Sequence, residues 1–554
     1  MLHIINLYFF YFIFIFSSIG YGYILTYRNQ SLQKFDLGFV GLSGIFTLIV
    51  ISYITNYFFA HDYLHNSLIF IIGIISFFYF SLKNFKKYLI EFKILFLIFS
   101  ILFIGILLYK NHDDFFYYHF QYTLSIIEFK KIIGLGLLEH GYRTPSSIFY
   151  LNSLFYLPGI DYYFLNGGAI LILGFSDLYL INKIFKRLKD GSIDTVFYIL
   201  LLSLTLINTS FYRISEHGTD RSSLILIFLF STIYLESINV NRNFLKNNLK
   251  NFYEKLIIIL GLIVSFKSFY LIYSIFLFSW FFELKNIFIK KNILINNVLK
   301  NHITYLSILL IGLVLITMYL NTGCLIYPAS FTCIGSFEWS IKTEEVIKMK
   351  EWYELWSKAG ATPNLRVDNP QEYLVNFNWV SNWISTYFFT KVSDYILVLI
   401  FISLIFYLII KNKFPKKNKI KFRFQIFYIF LLLLFLEWFI NHPALRYGGY
   451  SLIALLIFLP LSFYLSKFSQ NKKQIIKKFY LILSIIIFVF LLKNIQRIFD
   501  ENKKYGYNPL INPYYNIISE AFEVNKLLKR IEENYKYSQK LIILDRDIIE
   551  RNNK

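Results

Sequence analysis

The chain has 554 residues, 56% of them hydrophobic and 21% aromatic, with only 16% charged, a balance that excludes an ordinary soluble domain. The formal net charge of +22 could suggest nucleic acid, but Lys and Arg fall in short clusters between apolar runs and not along one face, so the charge is a topology signal and nucleic acid is excluded as the partner. Two cysteines, Cys324 and Cys333, exclude a cysteine-rich metal site and a disulfide scaffold.

The first apolar run, 4–26, has no basic segment before it and no small-residue cleavage site after it, so it reads as a retained span. Further runs lie at 37–59, 66–82, 93–109, 164–182, 195–212, 220–236, 256–282, 303–320, 393–410, 424–440, 448–466 and 479–492, many near the roughly 20 residues that cross a bilayer. Basic residues collect in alternate connections, at Lys83 to Lys87, Lys183 to Lys189, Arg242 to Lys250, Lys285 to Lys291, Lys411 to Arg423 and Lys467 to Lys478, which makes these the cytoplasmic loops. Parity fails only at 256–282, whose flanks are both basic, and a hairpin turning near Ser265 to Ser268 restores it.

The expected architecture is therefore all-α, a polytopic transmembrane helical bundle of about 12–14 spans over 1–492 with both chain ends outside and an extracytoplasmic tail at 493–554. The external side owns two long loops, 110–163 and 321–392, the second with amphipathic surface helices at 343–358 and 370–386. No fixed repeat and no Gly-rich phosphate loop occurs, so cytoplasmic nucleotide chemistry has no support. Abundant Phe, Ile, Lys and Asn match an AT-rich bacterial genome.

Polar residues of distinctive type concentrate in the external loops. Asp113 and Asp114 are adjacent at a membrane surface, where mutual repulsion calls for a cation or partner base, so a divalent cation, Mg or Mn, is one expectation and helix capping the other. If the following residues are helical, Asp114 and Tyr118 share a face with His119 beside it. Glu139, His140 and Arg143 come next as candidates that also read as solvated loop residues. Asp220 and Arg221 stand where a span enters the membrane, a costly place for charge unless it is paired or used. Lys267 interrupts an apolar stretch and would bring an ammonium to the headgroup level, near lipid phosphate. Arg446, in the turn Asn441 to Tyr450 with His442, runs against the positive-inside trend, and its planar fork suits phosphate. Trp339, Trp352, Trp356, Trp379 and Trp383 lie in the second loop, as interfacial anchors or as faces for sugar rings. Both cysteines share that external loop, so they are expected to form a disulfide.

An acidic pair opening the first large external loop, a further acid at Asp220 and basic residues near the late helices resemble the GT-C superfamily of glycosyltransferases. In finer detail Asp114-x-x-x-Tyr118-His119, the Gly-Leu-Gly of 134–136, Cys324 to Pro328 with Glu351 and Trp352 following, and Pro443-x-x-Arg446-Tyr-Gly448 are similar to a family of bacterial polytopic proteins associated with surface-polysaccharide loci. The likeness extends to about residue 460. In the GT-C layout the first large loop follows the first helix, whereas here it follows the fourth span.

The resemblance implies an enzyme of the bacterial inner membrane with its site facing outward. It would move a sugar from a polyprenyl-phosphate donor to a glycan or lipid-linked acceptor among membrane lipids. Asp114 or Asp113 would be the base or the metal ligand, with His119 and Asp220 as further catalytic groups. Lys267, Arg446, Arg143 and Tyr118 would bind substrate or lipid phosphate. Two other readings compete: an O-antigen-type polysaccharide polymerase, in which Arg446 and His442 would outweigh the acids, and a lipid or oligosaccharide transporter.

Overall fold

The computed structural model describes residues 1–27, 36–216, 218–286, 300–362, 367–411, 424–468, 471–517 and 524–552. Helix dominates and no β-strand occurs among them. Among the described residues ten helices are long and apolar enough to cross a membrane, and two shorter apolar helices, Thr195–Ser210 and Gln425–Asn441, accompany them. The expected basic clusters at Lys290 and Lys291 and across 412–423 lie outside the described residues.

Helices α1 (Leu2–Tyr27) and α2 (Leu37–Asn56) pack almost backbone to backbone. A Cβ added at Gly44 would stand 1.6 Å from the Ser18 carbonyl oxygen, and one at Gly22 would stand 1.9 Å from that of Val40. Small residues allow this approach, which in lipid stands in for hydrophobic attraction between helices. Gly44→Leu is expected to split α1 from α2 and to reduce the monodisperse fraction recovered in detergent; recovery at the wild-type level would contradict so close a contact.

The helical run α3 (Tyr63–Leu102) covers 40 residues, about 60 Å if straight and twice a roughly 30 Å bilayer core. It is not straight. The Phe77 and Phe92 rings are 5.9 Å apart, where a straight helix would separate them by about 22 Å. Tyr23 of α1 touches Phe80 at 5.6 Å and Tyr88 at 6.4 Å, so the run folds back between those residues into two spans, Tyr63–Lys83 and Tyr88–Gly105.

The first long loop contributes α4 (Phe120–Glu128) and α5 (Ser147–Ser153), then come α6 (Gly168–Asp190), α7 (Thr195–Ser210), α8 (Gly218–Asn239) and α9 (Arg242–Phe266). The stretch expected to be a hairpin does break at Lys267, whose backbone is extended at φ −154° and ψ 112°. A 3-10 turn, Ser268–Ser274, then leads to α10 (Ile275–Asn286). The first arm begins well before 256, however, and Lys246 and Lys250, expected in a loop, lie on it. Its interior charges Glu254 and Lys255 are buried in the bundle, which an apolar count does not register.

At one end of the bundle Lys183 pairs with Glu236 at 2.9 Å, Arg187 with Asp194 at 2.8 Å, and the amide of Leu37 with Glu91 at 2.7 Å. The other end gathers the long loops. There α11 (His302–Thr322) leads into the second loop, whose first residues a Cys324–Cys333 disulfide closes, and a helix, α12 (Thr343–Lys358), occupies the residues of the first expected surface helix. The second, at 370–386, is instead a short α13 (Pro370–Leu374) followed by α14 (Val380–Ile410), which runs without a breaker into the next span.

After α15 (Gln425–Asn441) and α16 (Gly449–Ser466), α17 (Lys472–Tyr505) continues past the expected boundary at 492 and ends at Gly506, in left-handed backbone at φ 67°. Its 34 residues reach about 51 Å, so its last turns rise beyond a bilayer core. The tail helix α18 (Val524–Asn552) docks on the first loop, with Tyr535 stacked on Phe129 at 4.8 Å and Arg530 paired with Glu139.

Candidate functional site

Three charges from distant parts of the chain meet at the loop end. Asp220 lies in the first turn of α8. Lys267 terminates α9, where the helix break frees its side chain from the helix surface. Arg446 sits on a 3-10 turn, Leu445–Tyr447, that Gly448 closes in left-handed backbone at φ 109° before α16 begins. Lys267 Nζ pairs with Asp220 Oδ1, and Arg446 Nε donates to Asp220 Oδ2 at 2.8 Å. Tyr270, from the turn after Lys267, donates its hydroxyl to the Arg446 carbonyl at 2.9 Å and so ties the two cation-bearing segments together.

Both carboxylate oxygens of Asp220 are thus engaged, and the trio keeps one net positive charge. The Asp220 carboxylate raises the Arg446 pKa still higher, so its guanidinium is permanently charged. Its bond to Asp220 uses Nε alone, the side chain is 38% exposed, and among the described residues the two Nη groups have no hydrogen-bond partner. Aromatic faces border the cations: the guanidinium stands 5.7 Å from the Trp356 ring centre, and Lys267 Nζ stands 4.8 Å from that of Tyr447.

The opposite wall comes from the first loop. Phe115–His119 forms a π-helical turn, a widened geometry frequent at functional sites, and it sets the Tyr118 and His119 rings edge to face at 4.2 Å. Gly141 leaves room for Tyr118, since a Cβ there would meet its ring at 2.3 Å. His119 is 8% exposed and its Nε2 has no hydrogen-bond partner among the described residues. Burial drives its pKa down to about 3 against the opposing pull of Asp220, so the ring is neutral.

Asp114 precedes this turn at the capping position but makes no side-chain capping bond, which removes the capping explanation for it. His112 Nδ1 accepts the Asp114 backbone N–H at 3.1 Å and lies 3.6 Å from the carboxylate. The Asp114 charge acts on Tyr118 and Arg446.

The structure thus groups Asp114, Tyr118, His119, Asp220, Lys267 and Arg446. Two expected members stand apart. Asp113 is 84% exposed and pairs with Lys110 at 2.9 Å on the other side of the loop, because neighbouring residues on a helical turn do not face the same way. The two carboxylates therefore diverge, and among the described residues no group of three or more His, Cys, Asp or Glu is placed to hold a metal ion. Arg143 is neither solvated nor open to phosphate: its guanidinium donates to Gly136 O at 3.0 Å, Tyr327 Oη at 3.1 Å and Glu345 at 2.5 Å, tying the two long loops together. Trp356 is one of the five loop tryptophans expected as anchors or sugar-ring faces, and here it borders a cation. Tyr447 was the unexpected member, and its place beside Arg446 in sequence is the signal by which it could have been found.

The buried neutral His119 predicts a pH effect. An unfolded histidine gains its proton near pH 6.5, whereas this one does so only near 3. Its contribution is therefore complete above about 6.5 and is lost as the pH falls toward 3. Between pH 7 and 5 the thermal midpoint of His119→Gln is expected to fall less than that of the wild type; equal falls would mean that the ring is not buried neutral.

A family model described as a domain of unknown function, DUF8201, matches residues 1–453, and the chain belongs to that family. No curated protein and no solved structure matches it.

Proposed function

We propose that the protein is a GT-C-type membrane glycosyltransferase of the bacterial cytoplasmic membrane. It would take a sugar from a polyprenyl-phosphate donor and pass it to a lipid-linked or surface-glycan acceptor on the non-cytoplasmic face. The observation that carries this reading is the Asp220 clamp, which holds Lys267 and Arg446 side by side at the loop end and leaves the Arg446 Nη groups without a partner among the described residues. A fixed pair of cations with one net charge suits a departing phosphate, where negative charge grows as the glycosidic bond breaks. Outward orientation is supported by the basic clusters in the opposite connections.

In this mechanism the donor phosphate lies on Arg446 and Lys267 and its sugar lies toward Trp356 and Tyr447. Asp114 takes the proton of the acceptor hydroxyl as that oxygen attacks the anomeric carbon. The carbon–oxygen bond to phosphate breaks, and the polyprenyl phosphate leaves with the electron pair. His119 offers Nε2 to a substrate hydroxyl. Asp220 is a positioning residue, since both its oxygens are engaged by the cations.

The test is binding of a short-chain polyprenyl phosphate to the purified chain. Arg446→Ala is expected to weaken it by about 10- to 100-fold, the worth of a charge-assisted contact. Arg446→Lys should recover part of that loss. Binding unaffected by Arg446→Ala would remove the phosphate site and with it this reading.

A further inference from the structure

A second cavity, of about 570 Å³, opens at the same end of the bundle. Its volume lies within the range of small-ligand pockets. One wall is the raised end of α17, with Lys493, Arg497 and Lys504, and another is the loop carrying His112 and Asp113. His112 is shared, since it lines this cavity and also contacts Asp114 at 3.6 Å. Asp114, whose charge acts on Arg446 and Lys267, is thus linked to this cavity through His112.

The charges in the cavity are unevenly matched. Arg213 is paired with Glu216 and Lys110 with Asp113. Among the described residues neither Lys493 nor Lys504 forms an ion pair with a carboxylate: Lys493 donates to the Thr209 carbonyl at 3.0 Å and lies 4.9 Å over the Tyr212 ring, and Lys504 lies 5.2 Å over Tyr505. Of the acids that share the wall, Glu501 accepts the Tyr109 N–H at 3.0 Å and Asp500 lies at the rim. Arg497 is 9% exposed and is committed to the fold, giving Nη1 to Glu216 at 3.2 Å and Nη2 to the Leu107 carbonyl at 2.7 Å. Two ammonium groups without a carboxylate partner among the described residues and two flanking tyrosine rings form one chemical set. Ring faces favour a saccharide, and the cations favour one that carries negative charge.

We propose that this cavity binds an anionic saccharide, a sugar unit bearing a carboxylate or a phosphate, and that it is the acceptor subsite. The acceptor assignment rests on the donor reading of the Arg446 clamp, whereas the binding itself does not. A sugar seated against Lys493 and Lys504 would present a hydroxyl past His112 to Asp114, opposite the donor phosphate.

The experiment is binding of glucuronate, glucose 6-phosphate and glucose to the full-length chain in detergent, followed by ligand-observed NMR. At least one anionic probe is expected to bind about tenfold tighter than glucose, the worth of one charge-assisted hydrogen bond, and the better of the two identifies carboxylate or phosphate as the group recognised. Lys493→Gln with Lys504→Gln should abolish that preference at an unchanged thermal midpoint, and Arg446→Ala should leave it intact. Equal binding of all three sugars, a preference that survives the double substitution, or loss of the preference in Arg446→Ala would each overturn the proposal. Anionic binding that persists while donor binding ignores Arg446 would instead strike the glycosyltransferase reading alone.

Discussion

Replacing Asp114 with Asn is expected to lower sugar transfer by about 100- to 10,000-fold, the range lost when a positioned general base is removed, while donor binding stays at the wild-type level. The side chains are nearly isosteric, and Asp114 makes no capping bond, so the fold gives no reason for such a loss. The effect should fall on the chemical step and not on the donor's KM, because the acceptor proton moves only as the new bond forms. Transfer and donor affinity measured in parallel separate the possibilities. Full activity in Asp114→Asn would leave the clamp without a base and favour a polymerase or transporter reading. Loss of donor affinity together with rate would make Asp114 part of the phosphate site.

The second large effect belongs to Asp220. Its side chain is 14% exposed and holds two cations. Asp220→Ala leaves both unpaired and mutually repelling in a largely buried site, where removal of one partner typically costs 3–5 kcal/mol. Because Lys267 and Arg446 are 23% and 38% exposed, water screens part of that cost, and about 3 kcal/mol is expected. Asp220→Asn should keep more of the fold, yet its amide can oppose only one cation with an acceptor, so the Arg446 fork loses its fixed orientation and donor binding weakens with it. The check is a thermal midpoint in detergent beside donor affinity for both variants. If Asp220→Asn matches the wild type in both, the clamp is not what orients Arg446.

The membrane spans were legible because an apolar run of about 20 residues has few other destinations. The members of the clamp were also legible one by one, since charge at a membrane surface is anomalous unless paired or used. Their meeting was not, because Asp220 is separated from Lys267 by 47 positions and from Arg446 by 226. Asp113 and Asp114 misled in a different way: adjacency in sequence suggested a shared cation, while the helical turn that follows sends them apart. Arg143 read as a loop residue beside Gly and Pro, and its partners Tyr327 and Glu345 lie in the other external loop. The early start of α9 was hidden because Glu254 finds Asn301 at 3.0 Å and Lys255 lies between the Phe39 and Tyr179 rings, so polar residues occupy the interior there.

The break at Lys267 bears on biogenesis as well as on the site. An insertion machinery meets 256–282 as apolar sequence divided by one ammonium, and that ammonium marks where the chain turns back. With Leu at 267 the stretch could enter the bilayer as a single pass. Every later segment would then be threaded in the opposite sense, which would carry Arg446 to the face of the membrane away from Asp220. Inactivity of an apolar Lys267 variant would then report a mis-threaded polypeptide as readily as a missing phosphate contact, and a polar replacement such as Lys267→Gln is the variant that keeps the turn while removing the charge.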